Sequence, residues 1–134
     1  MVWTSDGLGS AFQTGVVLDG FAYGLSRSNR KQVLQCADIH TGEVKWQQEM
    51  DEWGSLTAAN GKLIVLDGHG DLIVAESSPK AYKVISSARV IPIKQKDFVS
   101  RRDDMHVCWT APVLANGQVY ARSTWGELVC VDMR

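Results

Sequence analysis

Short apolar stretches recur along this chain, each bounded by turn signals, which is the pattern of β-strands. The runs are punctuated by Asp-Gly or Asn-Gly pairs. Three segments align on these pairs: "FQTGVVLDGFAYG" (12–24), "WGSLTAANGKLIV" (53–65) and "WTAPVLANGQVYA" (109–121). In each, an aromatic residue (Phe12, Trp53, Trp109) stands eight residues before the turn glycine (Gly20, Gly61, Gly117). Asn-Gly and Asp-Gly favour the type I′ turn, in which both central residues take positive φ, so each segment predicts a two-stranded hairpin.

A third strand is predicted in every unit: "LQCAD" (34–38), "LIVAE" (72–76) and "LVCVD" (128–132), ending in Asp38, Glu76 and Asp132. Small glycine turns, "DGHGD" (67–71) and "STWGE" (123–127), precede it in the second and third units, and a polar loop, "SRSNRKQ" (26–32), in the first. After Asp38 the stretch "DIHTGEVKW" (38–46) predicts a bend at Thr41-Gly42, and "EVKWQQ" (43–48) alternates as a fourth strand. In the second unit the corresponding positions hold Glu76, Pro79-Lys80 and Val84, with the outer strand expected inside "AYKVISSARVIPI" (81–93). Turn glycines are spaced by 41 and then 56 residues, so the second unit carries an insertion. Four antiparallel strands in about 40 residues is the period of a β-propeller blade.

The pattern D-x-x-T-G-x-x-x-W, held here by Asp38, Thr41, Gly42 and Trp46, resembles the repeat of the pyrroloquinoline-quinone-like propellers. That family includes quinoprotein dehydrogenases and the propeller lipoprotein of outer-membrane barrel assembly. Cys36 stands where the family motif usually has alanine, and the Gly-His and Trp-Asp landmarks of WD repeats are missing. The resemblance implies an all-β fold of about three blades and a Trp46 that docks between neighbouring blades against the Thr-Gly turn. It also implies an exported or periplasmic parent. Residues 1–134 are read as one domain, with units at about 9–50, 51–106 and 107–134. Trp3, 17 residues before Gly20 as Trp46 is 15 before Gly61, reads as the outer-strand indole of a further blade. Residues 1–5 are therefore expected to complete the third unit, either within a larger propeller or by two chains closing a six-bladed ring.

Composition narrows the function classes. The 134 residues carry a net charge of −1, with 45% hydrophobic and 22% charged residues, so no bulk field draws nucleic acid or anionic lipid. No apolar run approaches the ~20 residues of a membrane-spanning helix, and the first residues show no signal-peptide pattern. The three cysteines, Cys36, Cys108 and Cys130, have neither metal-site nor vicinal spacing and are expected to be buried thiols. "DGHGD" brings two carboxylates and an imidazole together, yet its slot is a hairpin turn where Gly and Asp serve geometry. His40 and His106 are read as surface or capping residues. The most individual segment follows Ser77. Its mixed charges, Lys94, Lys96, Arg101, Arg102, Asp103 and Asp104, form the candidate partner-binding loop, set against a plain solvated linker.

No catalytic, cofactor-binding or metal-binding residue is assigned. The expected function is a non-catalytic scaffold or protein-interaction module, self-association included, with no nucleic-acid partner and no membrane insertion. Two alternatives stand beside it. One is part of a quinone-dependent alcohol or sugar dehydrogenase, which would need pyrroloquinoline quinone with calcium. The other is a propeller hydrolase whose carboxylates lie on other blades.

Overall fold

A computed structural model describes residues 3–4, 13–28, 31–51, 53–92 and 108–134. Every regular element in them is a strand. The first sheet runs β1 (Val16–Leu18), β2 (Phe21–Ser28), β3 (Lys31–Asp38) and β4 (Val44–Met50), in that spatial order. The second runs β5 (Gly54–Ala59), β6 (Lys62–Asp67), β7 (Asp71–Glu76) and β8 (Val84–Arg89). The third holds β9 (Val113–Ala115), β10 (Gln118–Arg122) and β11 (Leu128–Asp132), with β10 central. All pairings are antiparallel. These are propeller blades, two of four strands and one of three.

Local chemistry sets the turns. Asp19-Gly20, Asn60-Gly61 and Asn116-Gly117 all have positive φ at both residues, as the type I′ turn requires. Behind each turn, the first N–H after the third strand reaches back to the turn glycine's carbonyl. Ile39 bonds Gly20 (3.1 Å), Ser77 bonds Gly61 (3.1 Å) and Met133 bonds Gly117 (2.9 Å). The third strands do end at Asp38, Glu76 and Asp132. The polar loop expected over 26–32 is, by contrast, mostly strand. Ser26, Arg27 and Ser28 pair with Val33, Gln32 and Lys31, and the buried Ser26 Oγ donates to Gln35 Oε1 across the two strands at 2.7 Å.

Burial on both faces of the second sheet organises the core. Leu63 and Val65 of β6 face the first sheet, in a cluster with Tyr23, Leu25, Leu34 and Cys36. Ile64 and Leu66, on the opposite side of the same strand, face the third sheet and join Ile91, Cys108, Val119 and Ala121. Polar links cross the same junctions. Gln13 bonds the β5 backbone twice, donating to Gly54 O (2.7 Å) and accepting from Leu56 N–H (3.0 Å). Ser55 Oγ donates to Thr110 O at 2.9 Å.

Indole side chains lock the outer rim. Trp46 lies opposite Cys36 on β3 and donates Nε1–H to Ser78 O of the second sheet at 2.7 Å. Its ring packs against Tyr23 and Tyr82, with centroids 6.1 and 5.8 Å away. The indole on the Thr41-Gly42 turn is Trp3, which donates Nε1–H to Ile39 O at 2.9 Å. A Cβ on Gly42 would come within 2.7 Å of that ring. Trp46 thus spans from its blade's outer strand to the next blade's turn, built on Ser77–Lys80, while Trp3 covers the first blade's Thr41-Gly42 turn.

This junction predicts a graded response. Trp46→Ala should lower unfolding free energy by about 2–4 kcal/mol through the lost ring contacts. Trp46→Phe should cost about 1 kcal/mol, the net worth of the indole hydrogen bond. Urea unfolding of the three proteins checks the order.

Candidate functional site

Side chains that could carry chemistry are first accounted for by their turns. Asp38 Oδ1 accepts His40 N–H (2.8 Å) and Thr41 N–H (3.2 Å), and Gly42 N–H returns to Asp38 O (2.8 Å). His40 therefore enters the motif through its backbone. These donors hold the exposed Asp38 carboxyl below its ordinary range, the His40 N–H contributing most. In "DGHGD", Asp67 Oδ1 accepts His69 N–H (3.0 Å) and Asp71 N–H (2.8 Å). Burial pushes the Asp67 carboxyl up, while Arg89 forks onto Asp71 and pulls its carboxyl down. Ser123 serves as Asp67 does, its Oγ accepting Trp125 N–H (3.3 Å) and Glu127 N–H (3.1 Å). Aspartate in one unit and serine in another is the preference of a hydrogen-bonded turn.

Cysteine environments differ sharply. Cys36 and Cys108 are buried, and Cys130 is exposed, against the expectation of three buried thiols. Burial raises the Cys36 thiol and pushes that of Cys108 up to about 11, so both are weak nucleophiles at neutral pH. Cys130 owes its exposure to its position in the repeat. Tyr23 pairs with Cys36, which pairs with Trp46, a row running across three strands of the first sheet. Tyr120 pairs with Cys130 in the third sheet, and among the described residues the row stops there. Leu34, two residues before Cys36, is fully buried, whereas Leu128, two before Cys130, is 66% exposed.

The edge of β11 is open in the same way. Met133 N–H bonds Gly117, so antiparallel alternation turns the N–H groups of Val129 and Val131 toward β10 and those of Cys130 and Asp132 outward. In the first two sheets the equivalent groups are taken by the outer strand: Asp38 N–H by Glu43 O and Glu76 N–H by Lys83 O, each at 2.9 Å. Among the described residues no strand takes them in the third. Beside this edge, a cavity of about 370 Å³ opens between the second and third sheets, lined by Ile64, Val74, Ile85, Leu114, Met133 and Arg134. The open edge and the outward face at Tyr120, Cys130 and Leu128 form the candidate interaction site, and the groove lies on the opposite face of the third sheet.

The structural motif residues Asp38, Thr41, Gly42 and Trp46 stand on the first sheet's outer turn and β4, away from this site. The candidate loop of Lys94, Lys96, Arg101, Arg102, Asp103 and Asp104, like His106, lies outside the described residues. Sequence reading missed the row of Tyr120 and Cys130. Its signal was present, since both "LQCAD" and "LVCVD" place a cysteine two residues before the terminal acid.

No family model and no curated protein matches the sequence. Solved structures do match in fold. BamB from Moraxella catarrhalis superposes with a TM-score of 0.67 at 15% identity, over 89% of this chain and 36% of that one. A europium-containing methanol dehydrogenase gives 0.62 at 14%, over 90% and 22%. Quinohemoprotein alcohol dehydrogenase from Comamonas testosteroni gives 0.61 at 18%, over 90% and 18%. The chain thus spans about a third or less of these proteins and shares with them the propeller-blade fold.

Two predictions follow from the turns. Gly70 has φ +89°, and a Cβ there would strike the Ile91 carbonyl, which cannot move without breaking the Val90 and Ile91 N–H bonds to Gly70 O. Gly70→Ala should cost about 2 kcal/mol or more in urea unfolding, combining positive-φ strain with the clash. Asp38, Asp71 and Asp132 all have carboxyls lowered in the fold from the ordinary 3.8. Their contribution is complete above that value and is lost as pH falls through the lowered folded values. Urea midpoints measured from pH 7 to 3 should drop at the acid end, and Asp38→Asn should flatten part of the drop.

Proposed function

We propose that this chain is a non-catalytic propeller module whose function is to hold a protein partner on the open third sheet. The observation that carries the reading is the outward row of N–H groups at Cys130 and Asp132 beside the exposed Leu128. An unpaired edge flanked by apolar surface is the arrangement that accepts an added strand. The repeat acids support it from the other side: Asp38 and Asp67 are committed to their own turns. The likeness in fold to BamB and to two dehydrogenases is equally compatible with scaffold and enzyme, because fold does not set function. The chain's own edge favours the scaffold. An exported setting and the absence of a quinone site belong to the same proposal.

Two measurements test it. Pyrroloquinoline quinone with calcium should leave the melting temperature unchanged. A quinone-binding subunit would instead gain about 2.7 kcal/mol at a hundredfold excess over Kd, and that gain would overturn the reading. Affinity capture with the chain as bait should retain protein that Cys130→Pro releases, since proline removes an outward N–H, breaks no backbone bond to β10 and is tolerated on an edge strand. Retention by the variant equal to that of the parent chain would contradict the proposed edge.

A further inference from the structure

Trp46 makes two contacts at once. It lies opposite Cys36 within its own sheet, and its Nε1–H bonds a carbonyl on the next blade's turn. Trp3 makes the second contact, to Ile39 O and over Gly42, and is 41% exposed. Among the described residues no strand lies opposite it. Cys130 is the converse, the equivalent of Cys36 with no outer strand opposite it. Tyr120, Cys130 and Leu128 also face the side on which a following blade would pack, just as Tyr23, Cys36 and Leu34 face the second sheet. One end of the chain presents an indole in search of a sheet, and the other presents a sheet in search of an indole.

The three described sheets cannot join the two by themselves. Contacts between sheets run from β1 and β2 to β5 and from β5 to β9, so the first and third sheets lie on opposite sides of the second. Bringing them together would require a three-bladed ring, whereas propellers close with about four to eight blades. Two copies supply six blades, and three would supply nine.

We propose that a second copy of this chain provides the outer strand of the third sheet, with its Trp3 opposite Cys130, and that the exchange is mutual. This rests on the reading of the open edge as a protein-binding site and names the partner. Each Trp3 stays on its own Gly42 turn and completes the neighbour's sheet, so the rim contact between the first and second sheets is repeated at both junctions between chains. A two-fold assembly then contains two identical Trp3-to-Cys130 contacts.

Sedimentation of the 134-residue chain at micromolar concentration should give a species of two chains. Trp3→Ala and Cys130→Pro should each weaken it about tenfold or more in Kd. Mixing the two variants should restore association, because the mixed pair keeps one intact junction while the other carries both defects. A folding defect in either variant would not be rescued by mixing, and Trp3→Phe gives a milder version should Trp3→Ala fail to fold. Maleimide labelling of Cys130 should be slow in the assembled form and fast on dilution. A chain that stays single at all concentrations overturns the proposal, as does a pair indifferent to both substitutions. If that single chain still captures another protein through the Cys130 edge, the interaction-module reading survives with a different partner.

Discussion

The constraint behind the whole structure is that a propeller blade is apolar on both faces and cannot leave either of them in water. β6 states it within four residues: Leu63 and Val65 are buried against one neighbour, Ile64 and Leu66 against the other. A sheet of this kind is stable only as the middle of a stack, as in other repeat architectures where each unit is satisfied by its neighbours. The second sheet has that position. The third has a neighbour on one side, where Val119 and Ala121 are buried, and exposes Leu128 and Cys130 on the other. The candidate interaction site is thus the face of the third sheet against which, among the described residues, no further sheet packs.

Rim contacts carry the same logic into hydrogen bonding. In the first two sheets the third strand offers alternate N–H groups to a fourth. Sequence spacing matches Val84 to Trp46, but the register places Ser86 opposite Val74 where Trp46 stands opposite Cys36, and Ser86 has no ring to extend. Rim locking is therefore uneven among the described residues: Trp3 and Trp46 make it, and Ser86 does not. The polar residues of the repeat serve the turns that aim these strands, and a chemical role is not needed to explain their presence.

Much of this was legible in the residues. Asp-Gly and Asn-Gly announced the three hairpins because the type I′ turn takes positive φ at both residues, which these pairs tolerate. Terminal acids and the Trp46 spacing located the third and fourth strands. Three features escaped. The extension of β2 and β3 through Ser28 and Lys31 rests on cross-strand pairing and on the buried Ser26–Gln35 bond, which a local polar run cannot reveal. The acceptor of Trp46 is the backbone carbonyl of Ser78, and a carbonyl leaves no mark on sequence. The exposed Cys130 was taken for a buried thiol because its type suggested burial, while its surroundings depend on which strands reach it.

Hydrogen exchange at two amides tests the central claim most directly. The N–H groups of Cys130 and Asp132 point outward from β11, where Cys36 and Asp38 have β4 beside them. If another strand completes the third sheet, the amides of Cys130 and Asp132 should be protected to the same order as that of Asp38 at concentrations where chains associate. Exchange of both at the rate of an unstructured amide under those conditions would contradict it.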